Sequence, residues 1–326
     1  MGDTIELPAL KQQRKVKSMQ VFRKPVNECK KGDRVGVCVT QLDAEAVERG
    51  VACHPGTVPT FQRAIVRVQK VRFYPGDVRS KSKMHIIVGH DTRMATCTFF
   101  SCFSSTGTSG TDVFDFEKEY AYEEELVPCA SQANVDRSSS SGDPPPPPTH
   151  EKPEKSIFAL MEFAEPVTAP PDSLVIGARL DTDLHASACR IALYGHMVAA
   201  LPPTSSSSSP YNALPLKVYK IKKRQGSVER IEGDGRTAIC KGMFGKDSDL
   251  SKFIGLRVTT VGPGSGGGGG GGGVVGRLES SFGKSGKCKV KFNHSSSSDV
   301  SVGSPVVVEY KKYVLGGGGG VRKLAQ

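Results

Sequence analysis

Arg34 follows the Lys-Gly-Asp that opens the stretch KGDRVGVCVTQLD (Lys31–Asp43), and a guanidinium at the mouth of an otherwise apolar strand has the chemistry to hold an anion. Lys-Gly-Asp is a turn signature, and the residues after it alternate with period 2. Val35, Val37 and Val39 therefore share one face, while Arg34, Gly36, Cys38 and Thr40 share the other. Two very small side chains beside a guanidinium give the outline of a shallow pocket. The plainer alternative is a solvated charge just past a turn.

Other residues suggest chemistry less well. FGKSGK (Phe282–Lys287) looks like the end of a phosphate-binding loop, but GxxxxGK[ST] needs a glycine five residues before Gly283, and Leu278 stands there. The glycine run Gly266–Gly273 reads as a linker, since a phosphate cradle needs glycines at fixed positions. His85 and His90, in HIIVGHD, have no nucleophile or acid at a useful spacing and read as strand caps or core hydrogen-bonders. Asp181 and Asp183, in RLDTDLH, fit a solvated hairpin turn better than paired acids or metal ligands. Nine cysteines without a CxxC pair fit reduced core thiols of a cytoplasmic or nuclear protein, with no metal site. No constellation argues for an enzyme.

Basic residues carry the stronger signal. In GKCKVKF the apolar Cys288, Val290 and Phe292 face one way, and Lys287, Lys289 and Lys291 face the other, about 7 Å apart. Such a row suits a polyanion backbone. KIKKR adds Lys220, Lys222, Lys223 and Arg224, YKKY adds Lys311 and Lys312, and Lys284 lies nearby in FGKSGK. These groups would neutralise phosphates without reading sequence. The competing explanation is edge-strand protection by lysine, which accounts for one run better than for three.

The elements that must position these residues are nearly all strands. TFQRAIVRVQKVRFY, KMHIIVGH, MATCTFFSCF, DVFDFEKEYAY, FALMEFAEPV, LVIGARL, CRIALYGHMV, LKVYKIK, AICKGMF, LRVTTV, CKVKF and VVVEYKKYVL are short, rich in β-branched and aromatic residues, and bounded by turn formers. Helix candidates are few, chiefly Leu42–Gly50 and the short Lys246–Gly255. An all-β chain of tandem antiparallel β-barrels follows, with low-complexity inserts. The net charge of +11 divides into +9 over residues 1–100, −10 over 101–209 and +12 over 210–326, so two basic blocks flank an acidic one. Clustered basic charge on a folded domain is the footprint of a nucleic-acid binder. Trp is absent, which disfavours an aromatic stacking platform. No apolar run approaches the roughly 20 residues of a spanning helix, and no membrane partner is expected.

Taken in order, these motifs resemble the eukaryotic selenocysteine-specific elongation factors, relatives of elongation factor Tu and of bacterial SelB. The resemblance runs through GDTIELPAL, VKSMQVF, GDRVGVCVTQLD and ERGV, then HIIVGH and LVIGARLDTDLHASACRIALYGHM, then LKVYKIKKRQGSVERIEG, GMFGKDSDLSKFIGLRV, GRLESSFGKSGKCKVKF and YKKYVL. It implies the latter part of a second β-barrel domain at 1–57, a third at 58–200 with a disordered insert at about 130–155, a linker at 201–210, and an extra basic fourth domain at 211–326.

The resemblance also implies partners: selenocysteinyl-tRNA, the ribosome at a recoded UGA codon, and the selenocysteine-insertion mRNA stem-loop with its binding protein. The expected state is a monomer. The arginine of the family's GDR motif lines the pocket for the selenocysteinyl group, and Arg34 stands at the matching position. A selenol is more acidic than a thiol, so a fixed guanidinium prefers its anion to uncharged serine. The family's GTPase domain, with its GTP and Mg2+, has no counterpart here, nor has the Asp-His pair that completes the pocket. The chain is therefore expected to be a fragment, an incomplete gene model or a shortened isoform, unable to hydrolyse GTP, with a first block poorly stable alone. The alternative is a general RNA-binding or ribosome-associated β-barrel protein without an amino-acid pocket.

Overall fold

Burial alternates residue by residue along some strands and runs unbroken through the middle of others, as at Ala64–Val66. In SKMHIIV, Met84, Ile86 and Val88 are buried; in KCKVKF, Cys288, Val290 and Phe292 are buried beneath an outward row of lysines. The computed structural model describes residues 2–43, 45, 47, 49–103, 114–128, 155–181, 188–201, 216–246, 248–260, 274–283, 286–293 and 300–315. The chain divides into two compact units, Met1–Asp115 with Glu123–Ser207, and Phe116–Tyr122 with Ser208–Gln326.

The first unit opens with a small antiparallel sheet centred on β2 (Gln12–Val21), which pairs with β1 (Thr4–Leu7), β3 (Lys24–Val26) and β4 (Gly36–Val39). Its core is thin. Among the described residues up to 57, only Pro8, Val16 and Met19 are buried. The rest of the unit is a six-stranded antiparallel barrel of β5 (Thr60–Lys70), β6 (Ser82–Val88), β7 (Asp91–Phe103), β9 (Lys155–Thr168), β10 (Leu174–Ala178) and β11 (Ile191–Leu201), with β8 (Glu119–Glu123) falling between β7 and β9 in sequence. The order is β7-β6-β10-β11-β5-β9, and β9 pairs again with β7, so no edge is left open. Val66, Val68, Met84, Ile86, Phe99, Met161 and Leu193 are among the side chains that fill it. β5 and β11 approach so closely that a Cβ on Gly195 would lie 1.9 Å from the carbonyl oxygen of Arg67.

The second unit is another closed antiparallel barrel: β12 (Lys217–Ile231), β13 (Thr237–Lys241), β14 (Arg257–Thr260), β15 (Val275–Phe282), β16 (Lys287–Phe292) and β17 (Pro305–Leu315). Their order is β13-β16-β15-β14-β17-β12, with β12 pairing β13 to complete the circle. Val228, Cys240, Phe244, Phe253, Val258, Leu278, Val290 and Val308 belong to its core. Glu119–Ala121 of β8 lie parallel to the start of β12.

Several expectations need correction. Leu42–Gly50 forms no helix among its described residues; Asp43 instead accepts the backbone N–H of Glu45 at 3.0 Å, a local turn that competes with helix nucleation in so short a segment. Of Lys246–Gly255 only Leu250–Phe253 coils, as a 3-10 turn capped by Asp249. DVFDFEKEYAY contributes strand only from Glu119, where the acidic turn before it ends. The cysteines are not all core thiols: Cys97, Cys240 and Cys288 are buried, their thiols pushed up to about 12 by burial, but Cys29 and Cys38 are exposed. The insert expected at 130–155, apart from Lys155, and the linker at 201–210, apart from Leu201, lie outside the described residues, as do the glycine runs, Asp183 and Lys284.

Candidate nucleic-acid interface

β16 presents its lysines outward, as the alternation requires, but each meets a carboxylate of the same unit. Lys287 lies 2.7 Å from Glu229, Lys289 lies 2.7 Å from Glu232, and Lys291 lies 3.6 Å from Glu279. The first two pairs are half-buried. Hydrogen bonding from Lys287 holds the Glu229 carboxyl below its ordinary range. A row that looks like a free polycation in sequence is thus largely compensated, because its counter-charges come from β12, the turn after it and β15.

The other two runs divide by face. Lys223 pairs with Glu309 at 2.6 Å, and Lys311 pairs with Glu119 at 2.7 Å while its ammonium lies 4.6 Å from the centre of the Tyr219 ring. Tyr313 also donates to Glu119, and these bonds lower the Glu119 pKa and raise that of Lys311. Lys220 sits over the Tyr122 ring at 3.9 Å. Arg224 lies over the Phe244 and Phe253 rings at 5.2 and 5.1 Å, and its Nε donates to the Tyr310 hydroxyl at 3.2 Å. Lys222 and Lys312 are exposed and make no ion pair among the described residues.

Arg34 lies just beyond the turn that KGD predicts. The backbone N–H of Asp33 donates to the Lys30 carbonyl at 3.0 Å, the Asp33 carboxylate accepts the Lys30 N–H at 2.7 Å, and Gly32 takes φ 102°. β4 then runs against β2, Gly36 opposite Gln20 and Cys38 opposite Ser18. Arg34, Gly36 and Cys38 are all exposed, and Val37 on the other face is 42% exposed, so neither face of β4 is covered. Arg34 has no hydrogen bond or ion pair among the described residues, which leaves its guanidinium available to a ligand.

Two arginines passed over in sequence stand out in three dimensions. Arg257 on β14 is directly opposite Arg277 on β15, which is directly opposite Lys291 on β16. Directly paired residues point to the same side of a sheet, and all three side chains are exposed. Each sits alone in its own segment, so only strand register, which one sequence does not display, joins them.

The comparisons with known proteins agree on one family. The model of the third domain of the eukaryotic selenocysteine-specific elongation factor matches residues 65–195, and that of the eEFSec C-terminal RIFT domain matches residues 215–313. The selenocysteine-specific elongation factor of Mus musculus is 37% identical over 297 residues, 89% of this chain and 48% of that protein, so the chain spans about half the length of that curated relative. Among solved structures, translation elongation factor SelB from Methanococcus maripaludis in its apo form superposes with a TM-score of 0.63 at 20% identity, over 96% of this chain and 54% of that one. The same protein in complex with the GTP analogue GPPNHP gives 0.59, at 20% identity over 96% and 56%. At that identity the likeness is one of fold.

Proposed function

This chain belongs to the family of eukaryotic selenocysteine-specific elongation factors, carrying its third domain and C-terminal RIFT domain, and from that premise we propose that it binds selenocysteinyl-tRNA for UGA recoding in selenoprotein synthesis. The observation that carries this reading is the occurrence of both domain matches, in order, along one chain. GTP hydrolysis belongs to the full-length family protein, and the matched residues are those of its other domains. Residues 1–57 then supply the latter part of the second domain, with Arg34 facing the selenocysteinyl group. The ribosome, the insertion stem-loop and its binding protein are the further partners of this reading, and the cytoplasm its place.

Arg34 supports this role by its chemistry. A guanidinium held just past a fixed turn, beside the small Gly36 and Cys38, favours a selenolate over a neutral hydroxyl. The test is binding of this chain to one tRNA charged with selenocysteine or with serine. We expect the Arg34→Ala variant to lose the preference for the selenocysteinyl form, by about tenfold for one charge-assisted contact, and to keep most binding to the tRNA body. A wild-type chain that binds the two forms equally removes the amino-acid pocket. That outcome leaves the second reading, a sequence-tolerant RNA-binding β-barrel, which the exposure of Arg34, Gly36 and Cys38 favours.

A further inference from the structure

We propose that the outer face of β14, β15 and β16 is an RNA-backbone site centred on Arg257 and Arg277. The inference rests on the reading of this chain as an RNA binder and places the phosphate contacts away from the lysine runs that the sequence suggests.

The first support is register. Arg257 faces Arg277 across β14 and β15, and Arg277 faces Lys291 across β15 and β16. Adjacent strands lie about 4.8 Å apart, and like charges placed directly opposite destabilise a sheet. Arg277 therefore stands between two like charges, of which Lys291 is offset by Glu279, and an anion laid along the row would ease the repulsion. The second support is shape. Gly255, Arg257, Val275, Arg277 and Asn293 line a shallow depression of about 500 Å3, so the arginines border a hollow. Gly255 takes φ 90° and keeps one rim free of a side chain, while Asn293 offers an amide that donates and accepts.

The third support is charge balance. The lysines of β16, with Lys223 and Lys311, are matched by Glu229, Glu232, Glu279, Glu309 and Glu119. Arg277 has no ion pair or hydrogen bond among the described residues. Glu279 lies on the Lys291 side, at 3.6 Å from that ammonium. Planar guanidinium forks match phosphate oxygens bidentately, and a row across three strands suits successive phosphates of one strand better than a single small anion.

The experiment uses the whole chain and a fluorescein-labelled RNA hairpin, with anisotropy followed over a salt series. For Arg257→Gln with Arg277→Gln we expect roughly tenfold weaker binding at low salt and a salt slope shallower by about two, one for each phosphate no longer neutralised. For Arg277→Gln alone, thermal stability should stay level or rise, since a charge between two like charges is removed. A Lys287→Gln, Lys289→Gln pair serves as the control and should change the slope little. If the arginine pair proves unstable, Arg277→Glu alone must still weaken binding.

An unchanged slope in the arginine variants, with the lysine control losing affinity, overturns the proposal. So does millimolar inorganic phosphate abolishing hairpin binding to the wild-type chain at constant ionic strength, which would mark a small-anion site. If the hairpin slope is unchanged while Arg34 still governs the selenocysteinyl preference, this site fails and the proposed function stands. A changed slope with no such preference supports this site and removes the amino-acid pocket.

Discussion

An arginine and two lysines of like charge, side by side on β12, end in different surroundings. Lys222 is exposed, Lys223 meets Glu309, and Arg224 is half-buried over two phenylalanine rings with hydrogen bonds to the Tyr310 hydroxyl and the Met243 carbonyl. A delocalised guanidinium loses less hydration than an ammonium and stacks on aromatic faces, so it tolerates the edge of the core where lysine would not. Arg224→Ala should cost about 2 kcal/mol in chemical denaturation, and Lys222→Ala less than about 0.5 kcal/mol. Arg224→Lys should recover only part of the loss, because it restores charge without the planar stack. Equal costs at 222 and 224 would show that Arg224 does not anchor the core. The arginine that KIKKR offers to RNA is thus also a packing residue, and only its burial distinguishes it from its neighbours.

Strand closure rests on backbone approach as much as on apolar side chains. Gly195 in β11 faces Val68 of β5, where a methyl group would meet the Arg67 carbonyl at 1.9 Å. Gly195→Ala must push β11 off β5, and we expect a loss of about 3 kcal/mol with the largest increase in amide exchange along those two strands. A variant with wild-type exchange there would mean that the pairing is looser than described. Elements of this kind were legible where β-branched and aromatic residues cluster between turn formers: β5, β6, β7, β9, β10, β11, β16 and β17 all coincide with runs visible in sequence. β2 was missed because QQRKVKSMQV has few apolar residues and buries only Val16 and Met19. β15 was missed because VGRLESSF mixes glycine and serine into its alternation, with a register shift between Leu278 and Ser280. The Arg257, Arg277 and Lys291 row was hidden for a related reason, since cross-strand neighbours are fixed by register and closure rather than by any local pattern. The lysine row of β16 was legible as a row, but its carboxylate partners were not.

At the scale of the whole chain, the two compact units carry acids perturbed in opposite directions, which gives them opposite responses to pH. In the second unit, bonds from Lys311 and Tyr313 lower Glu119, a bond from Lys287 lowers Glu229, bonds from the Thr237 backbone and hydroxyl lower Asp234, and bonds from Ser251 lower Asp249. A carboxyl whose folded pKa is depressed contributes stability above its unfolded value, near 4, and loses it as pH falls through the folded value. Lys311, raised chiefly by its bond to Glu119, behaves as the mirror image: its contribution is complete below the unfolded lysine value, about 10.4, and fades as pH rises through the folded one. The Glu119 and Lys311 pair is therefore at full strength between about pH 5 and 10. In the first unit Glu162, opposite Arg63 across β5 and β9, is raised by burial, with Arg63 opposing the shift. A raised carboxyl disfavours the folded state while ionised, so that cost disappears as pH falls through its folded pKa, above the unfolded value near 4. Acidification from pH 7 toward the unfolded carboxyl value should leave the second unit unchanged and favour the first once pH reaches the raised pKa of Glu162; below about pH 4 the second should weaken. Calorimetry across this range should show the transitions separating, with Glu119→Gln lowering the transition of the second unit at pH 7 and flattening its acid limb. Glu162→Gln should remove the gain that the first unit shows on acidification. A single transition that moves as one across the whole range would mean that these carboxyls do not set the acid response of either unit.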